Sequence, residues 1–348
     1  MKTEGIKYAG SKLKLLPYIE DIITDVPDIK TALDGFSGTT RVAQMFTQKG
    51  YDTTSNDISV WSEVFGKCYL YKNNKPNSYY LEIINYLNSL QGYSGWFTET
   101  YGALEKKPFQ IKNLKKLDSI REEIDKMDLC DVDKSVILTS LILALDKVDS
   151  TIGHFSSYLH DFSPRSSNDL KLELPNRFKV KTNNRVIRDD IFNTLSAYKF
   201  DLVYFDPPYG SNNEKMPSSR VRYNSYYHFW TTVILNDKPI TFGKAGRRED
   251  SRDMVNPSVF EDKDKNVVLN NIRNLIEKSQ CKYVMLSYSS EGRISRENII
   301  DIINKYTKDN SVYEIDYRRN VMSRMKWTNE WIKNESHLNK EYIFLARK

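Results

Sequence analysis

Short apolar runs that end in Asp, Gly or Pro recur along the chain, separated by stretches of helical periodicity. Residues 32–36 (ALDGF) read as a first strand, running into Ser37-Gly38-Thr39-Thr40 and a helix over 41–49. A second strand over 51–58 ends on Asn56-Asp57, and a third over 185–188 ends on Asp189-Asp190. The strongest, 201–205, runs straight into Asp206-Pro207-Pro208. A fifth over 282–288 is followed by a helix over 295–306, and 312–317 and 342–346 close the chain as two more strands. Strands alternating with helices predict an α/β fold with a mostly parallel, doubly wound sheet of seven strands. Such sheets bind ligands outside the carboxyl ends of their strands. Four of the predicted strands end there in carboxylates or a Gly-rich turn, and the fifth ends in Ser287-Tyr288-Ser289.

The alternation breaks between residues 61 and 177, where 79–90, 111–127 and 134–148 have helical periodicity and the Gly- and aromatic-rich 91–102 reads as a loop. The predicted organisation is a catalytic domain built from 1–60 and 181–348, a helical insertion over 61–180, and a basic loop region over 211–260. A length of 348 residues suits a domain with so large an insertion. The longest apolar run, 136–145, is half of the ~20 residues a membrane span needs, so it reads as a buried helix. The N-terminus does not read as a signal peptide, and a cytoplasmic location is expected.

Composition changes the picture in one respect. Residues 211–252 carry eight Lys or Arg against four Asp or Glu, and 317–333 carry five against one. Those windows hold more than the whole net charge of +6, so the rest of the chain is near neutral. They are either two solvated faces or a phosphate-contacting surface. The three cysteines, Cys68, Cys130 and Cys281, lack metal-site or disulfide spacing and are expected as core thiols; no metal is expected.

The chemistry concentrates at Asp206-Pro207-Pro208-Tyr209. An apolar strand delivers a carboxylate to the edge of the sheet. Two prolines then fix φ and lack N–H groups, so the turn is stiff and its carbonyls are not consumed locally. A side-chain oxygen, a backbone oxygen and an aromatic face within one short turn suit a planar base carrying an amino group. That amino group would donate to Asp206 and to the Pro207 carbonyl, and Tyr209 would stack on the ring, worth ~1–3 kcal/mol.

With its flanking motifs the chain resembles the Dam-like family of adenine-specific DNA methyltransferases, most of all those that accompany restriction enzymes. The matching segments are Ile6-Lys7-Tyr8-Ala9-Gly10-Ser11-Lys12, then Asp34-Gly35-Phe36-Ser37-Gly38-Thr39-Thr40, then Asp57, Asp189-Asp190, Asp206 to Tyr209, Leu286-Ser287-Tyr288-Ser289 and Glu341-Tyr342-Ile343-Phe344-Leu345. Thr40 stands where the family usually has a second glycine. The resemblance implies S-adenosylmethionine as cofactor, bordered by Tyr8, Gly10, Lys12, Asp34, Phe36, Ser37, Gly38, Thr39, Ile58 and Asp206. Asp57 would meet its ribose, and one of Asp189 and Asp190, with Asp190 preferred, its adenine. The expected catalytic residues are Asp206, Pro207, Pro208 and Tyr209. Expected DNA contacts are Arg220, Arg222, Tyr223, Tyr227, His228, Arg247, Arg248, Arg252, Arg324 and Lys326, with Arg318 and Arg319 beside them. The implied reaction is methyl transfer to the N6 amino group of an adenine flipped out of duplex DNA. The implied partners are double-stranded DNA and, without a stable complex, a restriction endonuclease reading the same site; a monomer is expected. Two alternatives stand beside it: amino-group methylation in ribosomal RNA, and an inert DNA-binding protein on this scaffold. The Lys-Tyr-Ala-Gly-Ser-Lys arm and the insertion argue against the first, and Asp57 with Asp206-Pro207-Pro208-Tyr209 against the second.

Overall fold

The computed structural model describes residues 1–72, 74–209, 223–252, 255, 258–317 and 339–348. Its strands, in chain order, are β1 (Thr31–Asp34), β2 (Asp52–Asn56), β3 (Arg185–Ile187), β4 (Phe200–Phe205), β5 (Thr241–Phe242), β6 (Arg247–Arg248), β7 (Cys281–Ser289), β8 (Asp309–Tyr317) and β9 (Asn339–Arg347). Seven of them form one sheet in the order β3-β2-β1-β4-β7-β9-β8, and β5 and β6 form a separate two-stranded hairpin. β2 with β3, β1 with β4, and β4 with β7 pair in parallel; β9 runs antiparallel to both β7 and β8. This is the seven-stranded, mostly parallel α/β sheet predicted from the alternation of strands and helices. Among the described residues no helix is long and apolar enough to cross a membrane.

The chain divides into two compact units. The second holds residues 31–36, 191–222 and 256–348. Its strands carry buried Leu33, Val203, Phe205, Val284, Leu286 and Phe344. Against them lies the helix Lys265–Lys278, whose Val268, Ile272, Leu275 and Ile276 fall on one face at helical spacing. The helix Arg296–Tyr306 adds Ile299, Ile302 and Ile303. Both helices start on side-chain caps: Asp264 accepts the Asn266 N–H and Ser295 the Asn298 N–H. Register is pinned at the strand starts. Asp201 accepts the Thr31 N–H at 2.9 Å, the Thr31 hydroxyl accepts the Asp201 N–H at 2.9 Å, and Lys282 pairs with Asp201 at 2.8 Å. With Asp34 level with Tyr204 and Phe205 level with Leu286, Asp206 is the first residue past the end of β4.

The first unit holds residues 1–30, 37–190 and 223–255. Contacts thus group the inserted helices with the N-terminal arm, β2, β3 and the 223–255 segment. The helix Asp131–Val148 is buried along most of its length. In the same unit Phe97, Tyr101, Phe109, Phe155, Phe229 and Trp230 pack ring to ring, with Phe155 stacked on Phe229 at 4.8 Å and Tyr101 edge-on to Phe229 at 4.9 Å. Phe229 and Trp230 are therefore core. Buried Arg121 donates to the Val233 and Ile234 carbonyls, satisfying the last turn of the helix His228–Leu235. The structure adds a helix, Trp96–Gly102, in the stretch read as a loop. Cys68 is buried, as expected, with its thiol pushed up to about 12 by burial, whereas Cys130 is exposed.

Candidate active site

In the first unit the candidate cofactor residues gather at the end of β2. The Ser37 N–H and hydroxyl both donate to the Asn56 carbonyl, at 3.0 and 2.9 Å. The Gly38 N–H donates to one Asp57 carboxylate oxygen at 2.9 Å, and the Ser59 N–H to the other at 2.9 Å. Asp57 therefore fastens the loop to the strand end while keeping lone pairs on both oxygens. Burial pushes its carboxyl above the ordinary value, against the pull of those N–H groups. Gly38 has φ +49, and a Cβ there would lie 3.1 Å from the Tyr8 ring. Glycine is favoured on both counts. Thr40 also occupies the left-handed region, at φ 59, and is fully buried. This is the position of the family's second glycine. The Thr40 hydroxyl accepts from Gln44 Nε2 at 3.1 Å.

Beside Asp57, Ile58 is 66% exposed, a large apolar side chain presented to solvent at the strand edge. Asp189 and Asp190 both lie on the surface after β3. The Asn56 amide donates to the Asp189 carbonyl at 3.2 Å, and the Asp189 carboxylate accepts the Asp190 N–H at 2.7 Å. Thr39 is buried in the loop.

The N-terminal arm closes on the same loop. Tyr8 stacks on Tyr227 at 4.7 Å and packs against Trp61 at 5.4 Å. Gly10, at φ +77, lies where a Cβ would come within 2.9 Å of the Tyr223 hydroxyl. Lys12 is buried, its ammonium 3.3 Å from the Gly10 carbonyl. Tyr223 and Tyr227 grip one residue from two sides: the Tyr223 hydroxyl donates to the Ala9 carbonyl at 3.2 Å, and the Ala9 N–H donates to the Tyr227 hydroxyl at 2.7 Å. Lys7 ties the arm to the insertion, pairing with Asp149 at 2.8 Å and Asp146 at 3.6 Å.

The second unit carries the other half of the motif set. The Gly35 N–H donates to the Tyr204 carbonyl at 2.9 Å, and a Cβ on Gly35 would meet the Phe205 ring at 2.8 Å. Asp34 is buried, and Phe36 packs edge-on against Phe260 at 5.2 Å. Asp206 is half-buried at the end of β4, followed by buried Pro207 and half-buried Pro208 and Tyr209. The Tyr209 hydroxyl donates to Glu341 at 3.3 Å, and its ring lies 5.2 Å from that of Tyr288. Glu341 is 8% exposed on β9, level with Ser289 of β7. Tyr288 is held in turn: its hydroxyl accepts the Ile294 N–H at 3.3 Å, and a Cβ on Gly292 would come within 2.3 Å of its ring. In the sequence Glu341 reads only as part of a closing strand. Its signal was a lone carboxylate opening an otherwise apolar run.

The basic residues divide by environment. His228 is fully buried, with Nε2 2.9 Å from the Phe155 carbonyl, and burial pushes its imidazole down to about 3. Arg248 is 4% exposed and clasped by Asp237 at 2.7 Å and Asp250 at 2.9 Å. Arg247 donates to Ser225 and to the Ser251 carbonyl. Arg252 is exposed, pairs with Glu249 at 2.6 Å and lies 3.9 Å over the Phe242 ring. Arg220, Arg222, Arg318, Arg319, Arg324 and Lys326 lie outside the described residues.

Comparison with known proteins carries these motifs further. The model of the D12 class N6 adenine-specific DNA methyltransferases matches residues 8–342. The chain is 30% identical over 332 residues to the modification methylase StsI of Streptococcus sanguinis, covering 90% of this chain and 48% of that protein. It is 26% identical over 363 residues to the type II methyltransferase M.FokI of Planomicrobium okeanokoites, covering 99% and 53%. It is also 26% identical over 326 residues to the type II methyltransferase M.NlaIII of Neisseria lactamica, covering 90% and 92%. The chain thus spans about half the length of the first two relatives and nearly all of the third. With its motifs in order on a mostly parallel seven-stranded sheet, the chain belongs to the D12 class N6 adenine-specific DNA methyltransferase family.

Proposed function

We propose that this chain methylates the N6 amino group of adenine in double-stranded DNA, as the modification enzyme of a restriction-modification system. The observation that carries the reading is the end of β4: a half-buried carboxylate, Asp206, then two prolines, then Tyr209, whose ring is held by Glu341 and lies beside Tyr288. Asp206 and the Pro207 carbonyl accept the two amino hydrogens of the base, so the nitrogen lone pair is less committed to the ring. Asp206 then stabilises the positive charge that develops on nitrogen. Tyr209 offers its face to the base. The target adenine has to leave the duplex, because its amino group is inside the base pair.

The residues at the end of β2 fit S-adenosylmethionine. Exposed Ile58 offers an apolar face for a flat ring, Asp57 keeps acceptor lone pairs for ribose hydroxyls, and the Gly38 backbone leaves room for close approach. Asp190 is preferred over Asp189 for the cofactor's amino group, because it directly precedes apolar Ile191, as the Asp of the resembled family does. When bound, this cofactor supplies an electrophilic methyl group that needs no metal. Buried Lys12 would neutralise its carboxylate. Among the predicted DNA contacts we favour exposed Arg252 over buried His228 and Arg248. A cytoplasmic monomer, with a separate endonuclease of the same specificity, completes the reading.

The test is transfer of labelled methyl groups to duplex DNA, single-stranded DNA and RNA, followed by nucleoside analysis of the product. N6-methyladenine in duplex DNA is expected, and Asp206→Ala should abolish it while cofactor binding persists. Transfer to RNA alone, or undiminished turnover by Asp206→Ala, overturns the reading.

A further inference from the structure

The first unit has a cleft of about 390 Å³ where the β5–β6 hairpin meets two stretches of the insertion. Its walls include Lys106, Ser156, Ser157, Phe242, Lys244 and Arg247. One carboxylate, Glu105, joins these three cations. Lys106 and Lys244 are exposed, and neither makes a hydrogen bond or ion pair among the described residues. The Ser156 hydroxyl oxygen is buried in the wall and also lacks a hydrogen-bond partner there. Buried hydroxyls without partners are uncommon, and one in the wall of a cationic cleft is a donor awaiting an acceptor.

The walls are fixed in place. The Tyr158 hydroxyl donates to the Ala245 carbonyl at 2.7 Å. Gly246, at φ +59, sits where a Cβ would come within 3.2 Å of the Tyr101 ring. Arg248 is clasped by two aspartates one residue beyond Arg247, and Arg252 covers the Phe242 ring. Lys106, Lys244 and Arg247 line this one cleft, and their summed positive charge favours an anion in it. Cations with hydroxyl donors beside them are the groups that meet phosphate oxygens in duplex DNA.

We propose that this cleft binds a backbone phosphate of the duplex substrate through Lys106, Lys244 and the Ser156 hydroxyl. The inference rests on the reading of duplex DNA as substrate. Its role is to fix the position of the duplex without reading its sequence.

The test is the salt dependence of binding to a labelled mixed-sequence duplex, for the full chain and for Lys106→Ala/Lys244→Ala. Each lysine that meets a phosphate contributes about 0.9 to the slope of log affinity against log salt. The slope should flatten by about 1.8, so the advantage of the unaltered protein shrinks about 12-fold between 50 and 200 mM salt. Ser156→Ala should weaken binding to cognate and unrelated duplexes alike. Lys199→Ala/Lys263→Ala, matched in charge and exposed on the second unit, should leave the slope unchanged. Equal flattening by that control, an unchanged slope in Lys106→Ala/Lys244→Ala, or a loss confined to the cognate duplex overturns the phosphate site. Failure of the unaltered protein to bind any duplex is a different result: it removes the DNA reading itself.

Discussion

The Asp57 carboxylate accepts the Gly38 N–H at 2.9 Å, so the candidate ribose acceptor also holds the loop beside it. Asp57→Ala should therefore act twice. Losing a charged acceptor from two backbone N–H groups should cost roughly 1–3 kcal/mol of stability, seen in thermal unfolding. Losing the ribose contact should weaken S-adenosylhomocysteine binding by about tenfold or more in calorimetry. Because burial raises the Asp57 carboxyl, cofactor affinity should start to fall at a higher pH than for an ordinary aspartate. An Asp57→Ala protein with undiminished cofactor affinity would remove Asp57 from the site.

Thr40 carries a β-branched side chain at φ 59, a conformation that costs about 1–2 kcal/mol. Its hydroxyl recovers part of that through Gln44. Thr40→Gly relieves the strain but gives up the hydrogen bond and adds freedom to the unfolded chain, so its stability should stay within about 1 kcal/mol of the parent. Thr40→Val keeps the strain and leaves the Gln44 amide without that acceptor, and should lose about 1–3 kcal/mol. Chemical denaturation of the pair checks the order; a valine variant as stable as the glycine variant would contradict it.

Tyr209 and Glu341 form a pair that a double-mutant cycle can resolve. Tyr209→Ala removes the stacking face, and ~1–3 kcal/mol corresponds to a loss of about 5–150-fold in kcat/KM for DNA. Tyr209→Phe keeps the face and loses the hydroxyl, so it should be mild. If Glu341 acts only by holding that hydroxyl, adding Glu341→Gln to Tyr209→Phe should cost nothing beyond Tyr209→Phe alone. Fully additive losses would mean the two side chains act independently.

Asp146 is pushed up to about 6, chiefly by burial; Lys7 and Arg165 pull it down, and Asp149 pushes it further up. It also accepts the Lys7 N–H at 3.1 Å. Lowering the pH from 7 to 5 protonates it and loosens the Lys7 arm, so cofactor affinity should fall more steeply over that window in the parent than in Asp146→Asn. Stability moves the other way. The folded protein holds this proton more tightly than the unfolded chain, whose carboxyl titrates near 3.8. Relative to Asp146→Asn, the parent should therefore gain stability as pH falls from 6 towards 4, by about 3 kcal/mol at most. Melting curves of both proteins across that range decide it.

The alternation of apolar strands with helices was legible because the strands of a parallel sheet are buried on both faces and read as short apolar runs. The turn after β4 was legible from two consecutive prolines. The helix Trp96–Gly102 was not, because its N-terminal N–H groups are satisfied from outside the local sequence. Asp118 accepts from Gly95, Phe97 and Thr98, some 20 residues away. β5 and β6 are two residues each, too short to alternate. Among the candidate DNA residues, sequence reads Arg248 and Arg252 as equal charges, while folding buries the first between two aspartates and leaves the second exposed. The Tyr209–Glu341 contact joins residues 132 apart, and only the register of β9 on β7 brings it about.

The pairing of Thr31 with Asp201, 170 residues apart, bears on how the protein is made. At a synthesis rate of about 5–20 residues per second, β1 leaves the ribosome roughly 8–34 s before β4 is available to pair with it. Ala32 and Leu33, both fully buried in the finished sheet, stay without that partner for the whole interval. A chaperone that shields this short apolar strand during translation should raise the yield of folded protein more than one added after the chain is complete.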